Sequence, residues 1–255
     1  MKKILIVFFT LCALCILPAM AADDSSYSQA QESLSDLGIS ENDLVKSNVI
    51  SETNRDAYYK FTTTDGSEYY VNSKTSVIER IDHRFDWKQT QDITLDLNAA
   101  EESAIEAVKK YSGEQNRPGL KIVSSKLVDH GDFKEYLIEF REIVNDVTLP
   151  NAARISIDPS NGALLSYMSI NKLVEVPLKP ALFQGDALKI AGDQYPGINI
   201  ISHEANLEIA YPARDTQRLI YRITITGEPV NDIMYGGFLA IDATDGKVWY
   251  NSPFK

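Results

Sequence analysis

Near the C-terminus, apolar positions fall into short alternating runs broken by turn residues. Gly237-Phe-Leu-Ala-Ile-Asp-Ala-Thr-Asp-Gly-Lys-Val-Trp-Tyr250 is an apolar run, an aspartate, an Asp-Gly turn and a second apolar run. Ala153 to Tyr167 repeats that order through Asp158 and Asn161-Gly162. A fainter copy runs from Glu68 to Ile81, with Tyr69, Tyr70 and Val71 before its turn and Val77 and Ile78 after it. Each stretch reads as a β-hairpin.

The rest of the chain supplies elements of both periods. Ala30, Leu34 and Leu37 have helical spacing, with Gly38 as a stop and Ser40 as a cap for a second short turn through Leu44 and Val45. From Asp56 the period becomes two, and Asp65-Gly66 marks a hairpin. Residues 82–98, around Phe85 and Trp87, read as a connection. Asn98 with Glu101 makes a capping-box pattern before Ala104, Ile105, Val108 and Tyr111, and Gly113 ends that helix. Leu120 to Val128 is a strand, and Tyr136, Ile138 and Phe140 form the inward positions of the next. A loop is expected over 145–151. Pro177 and Pro180 punctuate a linker. A second helix runs from Gly185 to Tyr195, and Pro196-Gly197 stops it. Ile198 to Tyr211 is strand-like, and Leu219, Tyr221, Ile223 and Ile225 alternate with polar residues.

The two later hairpins keep register over a long distance. Asp158 and Asp242 are 84 residues apart, as are Gly162 and Gly246, and Tyr111 and Tyr195. Val144-Asn-Asp-Val147 is echoed by Val230-Asn-Asp-Ile233. The spacing predicts an α+β chain of tandem units, each one helix packed on an antiparallel sheet of about three to four strands. The expected boundaries are a degenerate unit over 22–82, a connection over 83–98, a unit over 99–171, a linker over 172–181 and a unit over 182–255. Gly162 and Gly246 are expected to supply positive φ in tight turns. Asp158 and Asp242 are expected to accept backbone N–H groups across them.

Composition adds a compartment. Lys2 and Lys3, the apolar run Ile4 to Leu17 and Ala19-Met20-Ala21 have the form of a secretory signal over 1–21. Both cysteines, Cys12 and Cys15, lie inside it, so the mature chain has no disulfide, thiol nucleophile or cysteine-ligated metal. Without Lys2 and Lys3, 23 basic residues face 36 acidic ones, a net charge of −13. That opposes nucleic acid and anionic lipid as partners. The expected location is extracellular, periplasmic or in the cell envelope, with no stable membrane insertion after the signal is removed.

The helix ending in Tyr195-Pro-Gly, followed by strands and then Ile241-Asp-Ala-Thr-Asp-Gly-Lys-Val248, resembles the PepSY domain. That domain is known from propeptides of thermolysin-type metallopeptidases and from exported or membrane-attached proteins. The resemblance covers 99–171 and 182–252, and the strand part of 27–82. It implies a helix-plus-sheet fold, a role in restraining or assisting peptidases outside the cytoplasm, and no catalytic residue. With no peptidase domain in the sequence, it implies action on a separate protein.

Enzyme motifs are poorly represented. His203-Glu204 begins like a zinc-peptidase helix, but Leu207 stands where the second ligand is needed. His130 lies in a polar turn between Asp129 and Asp132. Asp242-Ala-Thr-Asp-Gly-Lys lacks the spaced ligands and closing glutamate of a calcium loop. No cofactor, catalytic residue or metal ligand is expected. The loop 227–237 is unusually apolar, with Val230, Ile233, Met234 and Tyr235, and is the candidate binding segment. The expected function is a non-catalytic exported binding protein whose partner is a protein, a secreted peptidase foremost. The alternative is an envelope-associated structural module without a peptidase link.

Overall fold

The computed structural model describes residues 24–51, 57–83, 92–112, 119–213, 216–229, 231 and 233–254. The expected signal over 1–21, Phe85, Trp87, Gly113 and Val230 lie outside them.

The chain begins with α1 (Asp24–Ser35), which buries Ala30 and Leu34. A single 3₁₀ turn over Glu41–Asp43 follows, where the Asp43 carboxylate accepts the backbone N–H and the hydroxyl of Ser40. The chain then enters a strand, so Leu44 and Val45 begin β1 (Leu44–Ser51) rather than a helical turn. This strand leaves little trace in the pattern because Val45 and Val49 are exposed. Next come β2 (Ala57–Thr63), β3 (Glu68–Asn72) and β4 (Ile78–Asp82).

Helix α2 (Leu97–Ser112) starts earlier than its capping pattern predicts. Asp96, not Asn98, is the cap: its Oδ1 accepts the Ala99 N–H at 2.9 Å. Glu101 instead takes the Ser125 hydroxyl. The strands β5 (Leu120–Asp129), β6 (Lys134–Val144), β7 (Val147–Ile157) and β8 (Leu164–Ile170) follow. No loop spans 145–151. Asn145 and Asp146 both have positive φ, 51° and 62°, and turn β6 directly into β7. Pro150 fits inside β7 because the register slips between Arg141 and Ile143 opposite, a bulge that needs no N–H there. Helix α3 (Gln184–Asp193) and strands β9 (Ile200–Ala213), β10 (Thr216–Gly227), β11 (Gly236–Asp242) and β12 (Val248–Pro253) complete the chain.

The expected tandem of separate small sheets is overturned. All twelve strands of the described residues join one mixed sheet in the order β1-β2-β3-β4-β8-β7-β9-β10-β11-β12, with β6 paired to β7 and β5 to β6. Three α-helices among the described residues lie against it. The reason is edge chemistry: a small open sheet exposes unpaired N–H and C=O groups, and pairing removes them. β4 closes onto β8 through Arg80–Met168, Ile81–Tyr167 and Asp82–Ser166. β7 outruns β8, and its leading half meets β9 in parallel at Thr148–Glu208.

Two apolar cores form. Ala30 and Leu34 of α1 and Ala100, Ala104 and Val108 of α2 cover Tyr59, Phe61, Val71, Ile81, Ile138, Ile155 and Tyr167. Ala187 and Ala191 of α3 cover Ile209, Tyr221, Ile223, Ile225, Leu239 and Ile241. Val147 and Leu149 of β7 belong to the second core, while Ala153, Ile155 and Ile157 of the same strand belong to the first.

Candidate functional site

The turn residues expected from the repeats are framework. Asp158 Oδ1 accepts the Ser160 N–H at 2.8 Å, and Gly162 (φ 77°) donates its N–H to the Asp158 carbonyl. Asp242 Oδ1 accepts the Thr244 N–H at 2.8 Å, and Gly246 (φ 75°) donates to the Asp242 carbonyl. The first hairpin does the same with Asn72 and Ser76 (φ 55°), Asn72 Oδ1 accepting from Lys74 and Thr75. Asp242 is buried, and its other oxygen takes the Trp249 Nε1–H at 3.3 Å. Burial pushes this carboxyl up, but donors from Thr244, Trp249 and Asp245 outweigh it and hold the group below the usual carboxylate range.

The histidines fall in three settings. His203 is an exposed residue of β9. His130 stacks on Phe133 at 4.2 Å and contacts Glu135 Oε1 at 3.0 Å, a polar turn. His83 joins a cluster that sequence reasoning missed. Its Nδ1 lies 3.1 Å from Ser67 Oγ, and Ser67 Oγ donates to Asp65 Oδ2 at 3.0 Å. The three residue types suit a hydrolase, but the order does not. In a triad the carboxylate orients the histidine and the histidine takes the serine proton. Here the carboxylate holds the serine proton itself, and Ser67 is 1% exposed, out of reach of a substrate. No group of three or more His, Cys, Asp or Glu able to hold a metal occurs among the described residues. No helix among them is long and apolar enough to cross a membrane.

The candidate surface lies at the other end of the sheet. Ile233, Met234 and Tyr235 are exposed. The loop is pinned at its end: the Gly227 N–H donates to the Tyr235 carbonyl at 2.7 Å. The chain then passes Gly236, at φ 129°, where a Cβ would fall 2.0 Å from the Ile225 carbonyl oxygen. Beyond it, β11 and β12 carry further exposed apolar residues. Leu239 and Ile241 point into the core, so Phe238 points outward and is 48% exposed. Phe238 packs edge-on against Phe254 at 5.2 Å. Ala240 pairs with Tyr250, which shares the outer face and is 56% exposed. Phe238, Tyr250 and Phe254 were not among the sequence candidates. Their strand parity pointed outward, but that parity equally describes any solvated strand.

The outer face of the earlier strands is different in kind. Tyr70 sits between Lys60 and Arg80, with the cations 5.4 and 5.0 Å from its ring centre. Lys60 pairs with Glu68 at 2.6 Å and Arg80 with Asp82 at 2.7 Å. That face satisfies its own charges. On β11 and β12, Trp249 likewise lies under Lys247, 3.6 Å from its ring centre, and Arg218, whereas Phe238 and Tyr250 are exposed.

No family model and no curated protein matches the chain. Among solved structures it is similar to the Bacillus megaterium YpeB C-terminal domain, with 14% identity and a TM-score of 0.48 over 91% of this chain and 97% of that one.

Proposed function

We propose that the chain is a non-catalytic, exported binding protein of the PepSY-like kind, which grips a protein partner on the surface made by Ile233, Met234, Tyr235, Phe238 and Tyr250. One observation carries this reading: the loop leaves Ile233, Met234 and Tyr235 exposed, and Phe238 and Tyr250, on neighbouring register pairs of β11 and β12, are exposed a few residues further on. Isolated exposed apolar residues are ordinary, whereas a contiguous group of them marks an interaction surface. Rigid aromatic residues also contribute most per residue when an interface closes.

A secreted peptidase, held inactive or helped to fold, is the partner that the PepSY resemblance favours. The leader-like start at 1–21 is consistent with meeting it outside the cytoplasm. The test uses purified chain and peptidases purified from the source's secreted fraction, reading complex formation and residual peptidase activity together. The double variant M234S/Y235S should weaken capture at least tenfold, about 1.4 kcal/mol, with an unchanged melting curve. Equal capture by the variant would remove the surface from the reading. Loss of fold would place those side chains in the core instead.

A further inference from the structure

The three hairpins carry the same irregularity at the same place. The register slips between Tyr70 and Val71, between Ser156 and Ile157, and between Ala240 and Ile241, which leaves Glu79, Leu165 and Trp249 as the bulged residues of β4, β8 and β12. Those three are therefore equivalent, and so are Ile81, Tyr167 and Asn251, two residues on. The β4–β8 seam is then symmetric. Its register pairs are Arg80–Met168, Ile81–Tyr167 and Asp82–Ser166. Ile81 faces its own equivalent, and the flanking pairs exchange theirs, since Arg80 corresponds to Ser166 and Asp82 to Met168. Two last strands meet antiparallel about a local pseudo-two-fold axis at Ile81–Tyr167.

β12 is the third last strand, and its outer side is open: among the described residues it pairs with β11 alone. Phe254 donates its N–H to the Gly236 carbonyl, and the register runs unbroken from Pro253 to Tyr250. By the alternation of an antiparallel ladder, the N–H and C=O of Asn251 point away from β11. Its equivalent Tyr167 stands on the seam with β4. Pro253 has no N–H to give, but its equivalent Ser169 lies past the last β4–β8 pair, so the proline leaves the pairing stretch clear. The sheet's other end strands are guarded by charge, β1 by Lys46 and β5 by Lys121, Lys126 and Asp129. Val248–Pro253 carries none.

We propose that β12 pairs with β12 of a second copy of this chain, antiparallel about a two-fold axis at Asn251, repeating between molecules the joint that β4 and β8 make within one. The Asn251 residues of the two copies exchange both backbone hydrogen bonds, and Tyr250 of one copy stands opposite Ser252 of the other. Such a contact uses the same surface on both copies and closes at two. The net negative charge does not oppose it locally, because the paired strands set no like charges opposite each other. Both α3 helices then lie on one face of the joined sheet, as α1 and α2 do over the core that spans β4 and β8.

Made without residues 1–21, the chain has no cysteine of its own, so a single introduced thiol reports the axis. Residues opposite each other in such a pair have Cα atoms about 5.5 Å apart, inside the disulfide range of roughly 4.4–6.8 Å. Under mild oxidation Asn251→Cys should form a covalent dimer at least tenfold faster than Ser202→Cys, an exposed control on β9. Equal rates would overturn the pairing. Sedimentation equilibrium of the unaltered chain should show monomer and dimer exchanging with concentration. Monomer alone at the highest soluble concentration, or growth beyond two copies, would overturn it as well. Asn251→Pro removes the outward N–H without touching the β11 ladder and should shift the folded chain to monomer. A folded proline variant that dimerises like the unaltered chain counts against the axis, and the thiol comparison decides the matter if that variant does not fold.

Discussion

At Asn72, Asp158 and Asp242 a side-chain oxygen accepts the N–H two residues on, and the residue four places on takes a positive φ. The acceptor tolerates Asn or Asp because the turn needs one oxygen, not a charge. The positive-φ place is less permissive. Ser76 occupies it once at φ 55°, while Gly162 and Gly246 occupy it at 77° and 75°. At Gly246 a Cβ would also lie 3.0 Å from Ile190 Cδ1 of α3. Gly246→Val is expected to cost roughly 2–3 kcal/mol, from left-handed strain on a β-branched residue and displacement of Ile190. Gly246→Ser should cost clearly less. Denaturant unfolding compares them, and a valine midpoint equal to the unaltered one would refute the turn's role. These positions were legible in the sequence because Asp-x-x-x-Gly chemistry is local. The meeting of His83 with Ser67 was not, because nothing local relates a hairpin turn to a strand end 16 residues away.

At the scale of elements, α3 is held by more than its apolar face. Tyr195, just past its end, is buried and donates its hydroxyl to Asn251 Oδ1 at 2.8 Å. That reach is possible because Gly237 lies beneath it: a Cβ there would sit 2.3 Å from Tyr195 Oη and 2.4 Å from the Ser252 carbonyl oxygen. Gly237→Ala should therefore expel Tyr195 and destabilise the chain by about 2 kcal/mol or more. A matched Tyr195→Phe, which loses only the hydroxyl, should cost about 1 kcal/mol. If the alanine variant melts with the unaltered chain, the close approach is not what seats the helix. The helices themselves were readable from their 3.6-residue period and stop signals. The loop expected over 145–151 is a tight turn and the start of β7 instead, and the bulge around Pro150 shows why that strand can hold a proline.

For the whole molecule, the decisive feature is one strand serving two cores. β7 offers Ala153, Ile155 and Ile157 to the core under α1 and α2, and Val147 and Leu149 to the core under α3. Leu149→Asp should cost roughly 3 kcal/mol, from lost burial and a buried charge. It should also uncouple the two halves, so that calorimetry shows two separate transitions in place of one. A single transition at the original temperature would show that Leu149 is not what couples the cores.

Local chemistry, then, was settled by the amino-acid order: where the chain turns, which faces of its helices and strands are apolar, and that its hairpins recur 84 residues apart. Those properties depend on φ preference and on period, which neighbouring residues carry. The joining of β4 to β8 and of β7 to β9 into one sheet was decided only in three dimensions, as was the exposure of Phe238 and Tyr250 on β11 and β12. Strand edges pair through backbone N–H and C=O groups that every non-proline residue possesses, so the choice of partner leaves no mark on the side chains that a sequence displays.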